Sequence, residues 1–365
     1  MHYTIDTASR ESAYLQLYRQ LRDDIVCGAY RYGERLPSKR LLATELGISV
    51  VTAQHALQIL CDEGYAGTRE RSGCFVTYRA GDGFAASPMP LVRRRRPIPH
   101  EISENTIPFS VLSRTMRRVI SEYGDALLLR SPNQGLLQLR QALAAYLARS
   151  RGMHVQAEQI VIGSGAEYLY GLTVQMLGRD RIFGVEDPCY EKIPAVLSAN
   201  GVRFEALQMG DDGITTAALQ QSKASVLHVT PYHSYPSGVS AGASKRREYI
   251  DYAKAHDGYI IEDDFDSEFT VSAKTEDTLY ALDGAERVIY LNTFTKTVAP
   301  SLRVGYMVLP PSLLPLFKTC VGFYACTVPL FEQYVLAELL DSGDFERHIN
   351  RRRREKRREI TGAVK

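Results

Sequence analysis

Val288-Ile289-Tyr290-Leu291-Asn292-Thr293-Phe294-Thr295-Lys296-Thr297-Val298-Ala299-Pro300-Ser301-Leu302-Arg303-Val304-Gly305-Tyr306 is the stretch on which the rest of the chain turns. An apolar, strand-like run delivers three hydroxyls and one lysine at its exit. A proline-broken turn, an arginine and a second apolar run follow. Taken alone, a lysine among threonines after a strand reads as a solvated loop residue. Yet the segment also holds what an anionic carbonyl cofactor needs: an amine able to form an imine, a guanidinium fork for phosphate and hydroxyl donors beside both.

The order of these groups resembles the lysine segment of fold-type I aminotransferases, which bind pyridoxal 5'-phosphate (PLP). The resemblance implies that Lys296 is the imine-forming residue. Thr293, three residues before it, and Arg303, seven after it, would hold the phosphate, with Thr295 beside them. The remainder of the chain must then supply a carboxylate for the pyridine nitrogen, an aromatic for the ring face and further phosphate donors.

Length and composition set the frame. A chain of 365 residues is too long for one ordinary core and implies at least two domains. Its 45% apolar and 24% charged residues are the profile of a folded protein, and a formal charge of +2 is too small to identify partners. No apolar run approaches a membrane span, and the polar Met1 to Arg10 segment does not read as a signal peptide, so a cytoplasmic location is expected. The six cysteines lie without CxxC or Cys/His zinc spacing, which favours free thiols and no metal site.

Residues 1–79 read as a separate unit. Tyr14, Leu17, Tyr18, Leu21 and Ile25 follow helical stagger, and Gly28 ends that helix. Ser38 caps a short helix from Lys39 to Leu46, closed by Gly47, and Ser49 caps a third ended by Gly64. Two short helices across Gly47-Ile48-Ser49 make a helix-turn-helix. Tyr65–Arg69 and Cys74–Tyr78 read as two strands of a hairpin with Gly73 at its tip, a wing. Leu36-Pro37-Ser38-Lys39-Arg40-Leu41-Leu42-Ala43, Leu46-Gly47-Ile48-Ser49, Glu63-Gly64 and Gly73-Cys74-Phe75-Val76 resemble the winged helix of GntR-family transcriptional regulators. The resemblance implies double-stranded DNA as partner, with Ser38, Lys39, Arg40, Ser49, Val50, Thr52, Gln54, His55, Arg71 and Gly73 at the contact. Ser49 and the free N–H groups of its helix start suit a phosphate, and Gln54 and His55 suit base edges. Val50 stands where that family usually has arginine, which lowers the expected contact strength. The unit is not strongly basic: residues 1–80 hold 10 Lys and Arg against 9 Asp and Glu.

Residues 80–105 read as a linker, rich in Pro and Gly and carrying Arg93 to Arg96 in a row. From 106 to 365, helical and strand patterns alternate as in an α/β layer protein with a mostly parallel sheet flanked by helices. Strand Ile160–Ile162 opens into Gly163-Ser164-Gly165-Ala166, where the aminotransferase pattern places its phosphate turn. This nominates Ser164, Gly165 and Ala166. In Glu186-Asp187-Pro188-Cys189-Tyr190 the resemblance makes Tyr190 the ring-stacking aromatic and Lys192 an effector-binding cation. Tyr235 takes the place of the family's asparagine before Pro236, His233 reads as structural, and Asp263, at the exit of strand Tyr259–Ile261, faces the pyridine nitrogen. Phe265 stands where many relatives have tyrosine.

The combined plan resembles the MocR-type subgroup of the GntR regulators. It implies a PLP-dependent, DNA-binding transcriptional regulator that senses an amine or amino acid through a lysine-linked PLP imine, assembled as a head-to-tail homodimer. The competing reading is an active aminotransferase with a DNA-binding appendage. Tyr235 and Phe265 weigh against strong turnover, as does the chain's stop at Lys365, before the small C-terminal subdomain that carries the substrate clamp in that family.

Overall fold

The computed structural model describes residues 3–7, 9, 11–69, 72–79, 106–270 and 277–363. Contacts divide the chain into two units, Met1–Pro97 and Ile98–Lys365. The linker expected at 80–105, with its arginine run, lies outside the described residues, as does Arg71.

The first unit comprises α1 (Ala13–Val26), α2 (Lys39–Leu46), α3 (Val50–Asp62), β1 (Ala66–Arg69) and β2 (Gly73–Val76). Its core is the apolar stagger read from the sequence: Leu17, Leu21 and Ile25 from α1 close on Leu42, Ala53, Ala56 and Leu60. Both expected caps form. The Ser38 hydroxyl accepts the Leu41 N–H at 3.2 Å and the Ser49 hydroxyl accepts the Thr52 N–H at 3.0 Å, each satisfying a donor that the helix cannot. Gly47 ends α2 in the left-handed conformation at φ 65°. The wing strands pair antiparallel, Ala66 opposite Val76 and Arg69 opposite Gly73.

In the second unit the elements run α4 (Phe109–Tyr123), α5 (Leu137–Arg151), β3 (Ile160–Gly163), α6 (Ala166–Leu177), β4 (Ile182–Asp187), α7 (Lys192–Ala199), β5 (Arg203–Gly210), β6 (Gly213–Ile214), α8 (Thr216–Gln221), β7 (Val226–Val229), α9 (Ala243–Ala255), β8 (Tyr259–Asp263), α10 (Leu279–Leu282), β9 (Val288–Thr293), β10 (Gly305–Val308), α11 (Leu314–Cys320), α12 (Leu330–Asp341) and α13 (Asp344–Ala363). The sheet order is β3-β10-β9-β8-β7-β4-β5-β6. The pairs β9/β8, β8/β7, β7/β4 and β4/β5 are parallel, whereas β10 runs antiparallel to both β3 and β9, and β6 antiparallel to β5. Helices cover both faces, so β7 and β9 are buried along their whole length, the reason these strands read as continuous apolar runs. One core gathers Leu143, Leu147, Tyr249, Ile260 and Val288, and the other Leu169, Val185, Ile261, Ile289 and Met307. Alternate residues of one strand thus feed opposite layers.

No helix among the described residues is long and apolar enough to cross a membrane.

Candidate functional site

The carboxyl ends of the parallel strands and the start of α6 enclose a pocket of about 300 Å³, the position at which open α/β sheets bind ligands. Ala166, Tyr190, Tyr235, Asp263, Thr293, Thr295, Lys296 and Arg303 line it, all of them singled out in the sequence. Glu167, Tyr170, Ile193, Thr230 and Phe265 complete the wall.

Lys296 leaves the turn after β9. Its Nζ lies 4.1 Å from the centre of the Phe265 ring and 3.5 Å from Asp266 Oδ1. With its side chain 46% exposed, the amine is accessible from the pocket mouth.

Asp263 occupies the floor at the end of β8 and is 6% exposed. Tyr170, one turn into α6, donates its hydroxyl to Oδ2, while Oδ1 is buried without a hydrogen-bond partner. Burial pushes the Asp263 carboxyl up to about 7, against the stabilising hydrogen bond from Tyr170. Below it, the His228 ring packs edge-on against Tyr170 at 5.0 Å and brings Nε2 to 3.9 Å from Oδ2. Burial lowers His228 to about 4, so the ring is neutral near pH 7 and this approach is not an ion pair.

The acidic run around Asp263 resolves into separately partnered groups. Glu262 accepts the N–H groups of Leu279 and Tyr280 at 2.8 and 2.9 Å. Asp264 pairs with buried Arg151 at 3.0 Å and accepts from the Tyr290 hydroxyl at 2.6 Å. Glu268 accepts from Asn292 at 2.7 Å. These bonds pin the segment after β8 from behind and leave Asp263 to face the pocket.

At the other end, Gly165 turns β3 into α6 at φ 98°, a conformation that favours glycine, and a Cβ there would sit 3.2 Å from the Arg303 guanidinium. The glycine therefore lets backbone and guanidinium share one small space at a helix start. Ser164 does not line the pocket; its N–H donates to Thr327 Oγ1 at 3.2 Å. Arg303 Nη2 donates to Glu167 Oε2 at 2.7 Å. Glu186 accepts the Thr230 N–H at 3.1 Å and the Ser234 hydroxyl at 2.6 Å, tying β4 to the turn that carries Tyr235.

Tyr190 and Tyr235 meet edge-on at the rim, ring centres 6.2 Å apart. Tyr190 is 38% exposed, which places it on the pocket surface instead of in the core. Lys192 is outside the lining set and donates to Glu167 Oε1 at 2.7 Å.

In the winged helix, Lys39 Nζ donates to Gln54 Oε1 at 2.8 Å, bridging the starts of α2 and α3. Val50 is 44% exposed at the first position of α3. The His55 ring stacks on Tyr14 of α1 at 4.2 Å, so it is already engaged within its own domain. Gly73 adopts φ 115°, and its Cβ position lies 3.0 Å from Arg35 Nε, which makes glycine the residue that fits the wing here.

Sequence reasoning missed Tyr170 and Glu167. The signal was present, since both lie within the first turns of the helix that leaves the glycine turn. His228, second of the strand pair Leu227-His228, gave no such signal because its neighbour Asp263 comes from another strand.

The profile described as bacterial regulatory proteins of the gntR family matches residues 13–76, and that of aminotransferase class I and II matches residues 101–364. The uncharacterised HTH-type transcriptional regulator YdeL of Bacillus subtilis is 34% identical over 96% of this chain and 79% of its own. The probable rhizopine catabolism regulatory protein MocR of Rhizobium meliloti is 31% identical, with 93% and 74% covered. The HTH-type pyridoxine biosynthesis transcriptional regulator PdxR of Corynebacterium glutamicum is 30% identical, with 93% and 75% covered. Among solved structures, a kynurenine aminotransferase of Pyrococcus horikoshii aligns at a TM-score of 0.62 and 27% identity, over 71% of this chain and 67% of that one.

Proposed function

Because this chain belongs to the MocR-type GntR regulators, in which a winged helix-turn-helix is followed by an aminotransferase class I and II domain, we propose that it binds PLP at Lys296 and couples the state of that site to DNA binding. Transcriptional regulation is the function of the family, and the GntR-type domain implies DNA as partner. The cofactor, the effector and the assembly are the further steps proposed.

The observation that carries the cofactor reading is the unpartnered, buried Oδ1 of Asp263 on the pocket floor, opposite a half-exposed lysine. A buried carboxylate oxygen without a donor is costly, and a protonated pyridine nitrogen supplies both the missing hydrogen bond and the missing charge. The residues fit the group. Arg303, Thr293, Thr295 and the backbone around Gly165 and Ala166 would hold the phosphate. Tyr190 would cover the ring face, and Lys296 would form the covalent link. When bound, PLP supplies an aldehyde that exchanges between amines and a ring that withdraws electrons.

The chain's own groups set the conditions for that exchange. Asp263, held by the Tyr170 hydroxyl, would keep a proton on the facing nitrogen. Phe265 covers Lys296 with an apolar face that can cradle the ammonium but, having no hydroxyl, cannot hydrogen-bond an oxygen, and Tyr235 is 59% exposed at the rim. The effector fitting this arrangement is a primary amine, including amino acids, able to take the place of Lys296. Leu128, Leu129 and Phe323 are large apolar side chains left exposed in the single chain, and a homodimer would give such side chains a surface to pack on.

The test is visible absorption of the purified full chain titrated with PLP, alongside operator binding with and without added amines. Wild type should gain a band that Lys296→Ala lacks, and an amine that shifts the band should change DNA affinity. An identical band in Lys296→Ala, or DNA affinity indifferent to every amine that shifts it, would count against the proposal.

A further inference from the structure

One side chain in the pocket carries a charge opposed to the ligand the pocket fits. Glu167 lies in the first turn of α6, two residues after Gly165. Its Oε2 accepts from Arg303 Nη2 at 2.7 Å and its Oε1 from Lys192 Nζ, also at 2.7 Å. A single carboxylate thus neutralises two cations, and one of them is the guanidinium assigned to the phosphate. The two contacts are not equivalent. Lys192 stands outside the lining set, whereas Glu167 and Arg303 both face the pocket. A phosphate that takes the Nη2 donor contests it with this carboxylate, and one that takes the remaining guanidinium N–H groups binds beside a like charge.

Lys192 and Arg303 hold the Glu167 carboxyl below its ordinary value, the Lys192 hydrogen bond being the largest cause. It remains ionised near neutral pH and does not yield by taking up a proton. A phosphate monoester carries between one and two negative charges at that pH. Two anions contesting one guanidinium within a few ångströms repel each other, and the separation is shorter than the Debye length at physiological salt. All three groups are between a third and a half exposed, which moderates the effect without removing it. A carboxylate that gives way still has a partner in Lys192, so the exchange leaves no charge stranded.

We propose that Glu167 is an affinity-setting residue, a resident anion that competes with the cofactor phosphate for Arg303, with Lys192 drawing it aside. This rests on the reading that PLP occupies the pocket. It predicts opposite consequences for the two neighbours of one ion-pair triad. Removing the charge at 167 tightens phosphate binding; removing the charge at 192 leaves Glu167 wholly to Arg303 and loosens it. A merely structural role for Glu167, in which it orients Arg303, predicts the reverse for the first change.

The experiment titrates full-length wild type, Glu167→Gln, Glu167→Ala and Lys192→Ala with PLP by the visible band, in the absence of effector, and measures inorganic phosphate as competitor. In both Glu167 variants the PLP Kd and the phosphate inhibition constant should fall on the order of tenfold, and in Lys192→Ala both should rise. A band present in all proteins with unchanged or weaker PLP binding in the Glu167 variants overturns the inference alone. A band absent from every protein, wild type included, overturns the cofactor reading and the inference with it.

Discussion

Asp263 is buried on the pocket floor with one carboxylate oxygen unpartnered, an arrangement that costs the free protein stability. Its carboxyl is raised to about 7, mainly by burial. In the unfolded chain it titrates near the ordinary aspartate value of about 4. Between those two pH values the folded state binds more protons than the unfolded one, so this group's contribution to stability falls as pH rises from about 4 to 7 and stays low above that. Asp263→Asn removes the buried charge while keeping an acceptor for the Tyr170 hydroxyl. The PLP-free variant is therefore expected to melt at a higher temperature than wild type at pH 8, with the gap closing toward pH 5. Calorimetry at the two pH values decides it; a gap independent of pH would show that the charge is not the cause. With PLP present the order should reverse, since asparagine cannot balance a pyridinium.

Most of the site was legible in the sequence because fold and chemistry coincide at strand exits. Thr293, Lys296, Asp263 and Tyr190 each follow an apolar run that reads as a strand, and all of them line one pocket. What escaped was set by contacts between elements distant in the chain. His228 reaches Asp263 across two neighbouring strands, and the Glu167 link to Arg303 joins α6 to the loop after β9. Strand alternation gives no access to such pairs. Ser164 is the converse case: its place in the glycine turn suggested a phosphate contact, but its N–H turns to Thr327.

The same logic of local signals governs α3 in the winged helix. Its start is fixed by Ser49, whose hydroxyl accepts the Thr52 N–H at 3.0 Å. Ser49→Ala should cost about 1 kcal/mol of local helix stability. The readout is amide hydrogen exchange at Thr52, expected to speed up roughly fivefold, with operator affinity reduced because the helix start presents its N–H groups less firmly. Unchanged Thr52 exchange would mean that the cap contributes nothing to the order of this turn.

At the scale of the whole chain, the sheet places a carboxylate from the end of β8 and an amine and a guanidinium from the loop between β9 and β10 around one pocket, on a polypeptide that also carries a winged helix. The regulator family explains why both parts occur together, and the expected mostly parallel sheet is the one observed. The chain spans about three quarters of the length of the regulators it matches. Central to the account is that Lys296, and no other lysine, carries the cofactor. Reducing the PLP-loaded full chain with borohydride makes that bond permanent, and peptide mapping by mass spectrometry locates it. A pyridoxyl group is expected on the peptide containing Lys296, with no comparable label elsewhere. Label on Lys192 or on surface lysines at equal yield, or no stable label at all, would contradict this assignment.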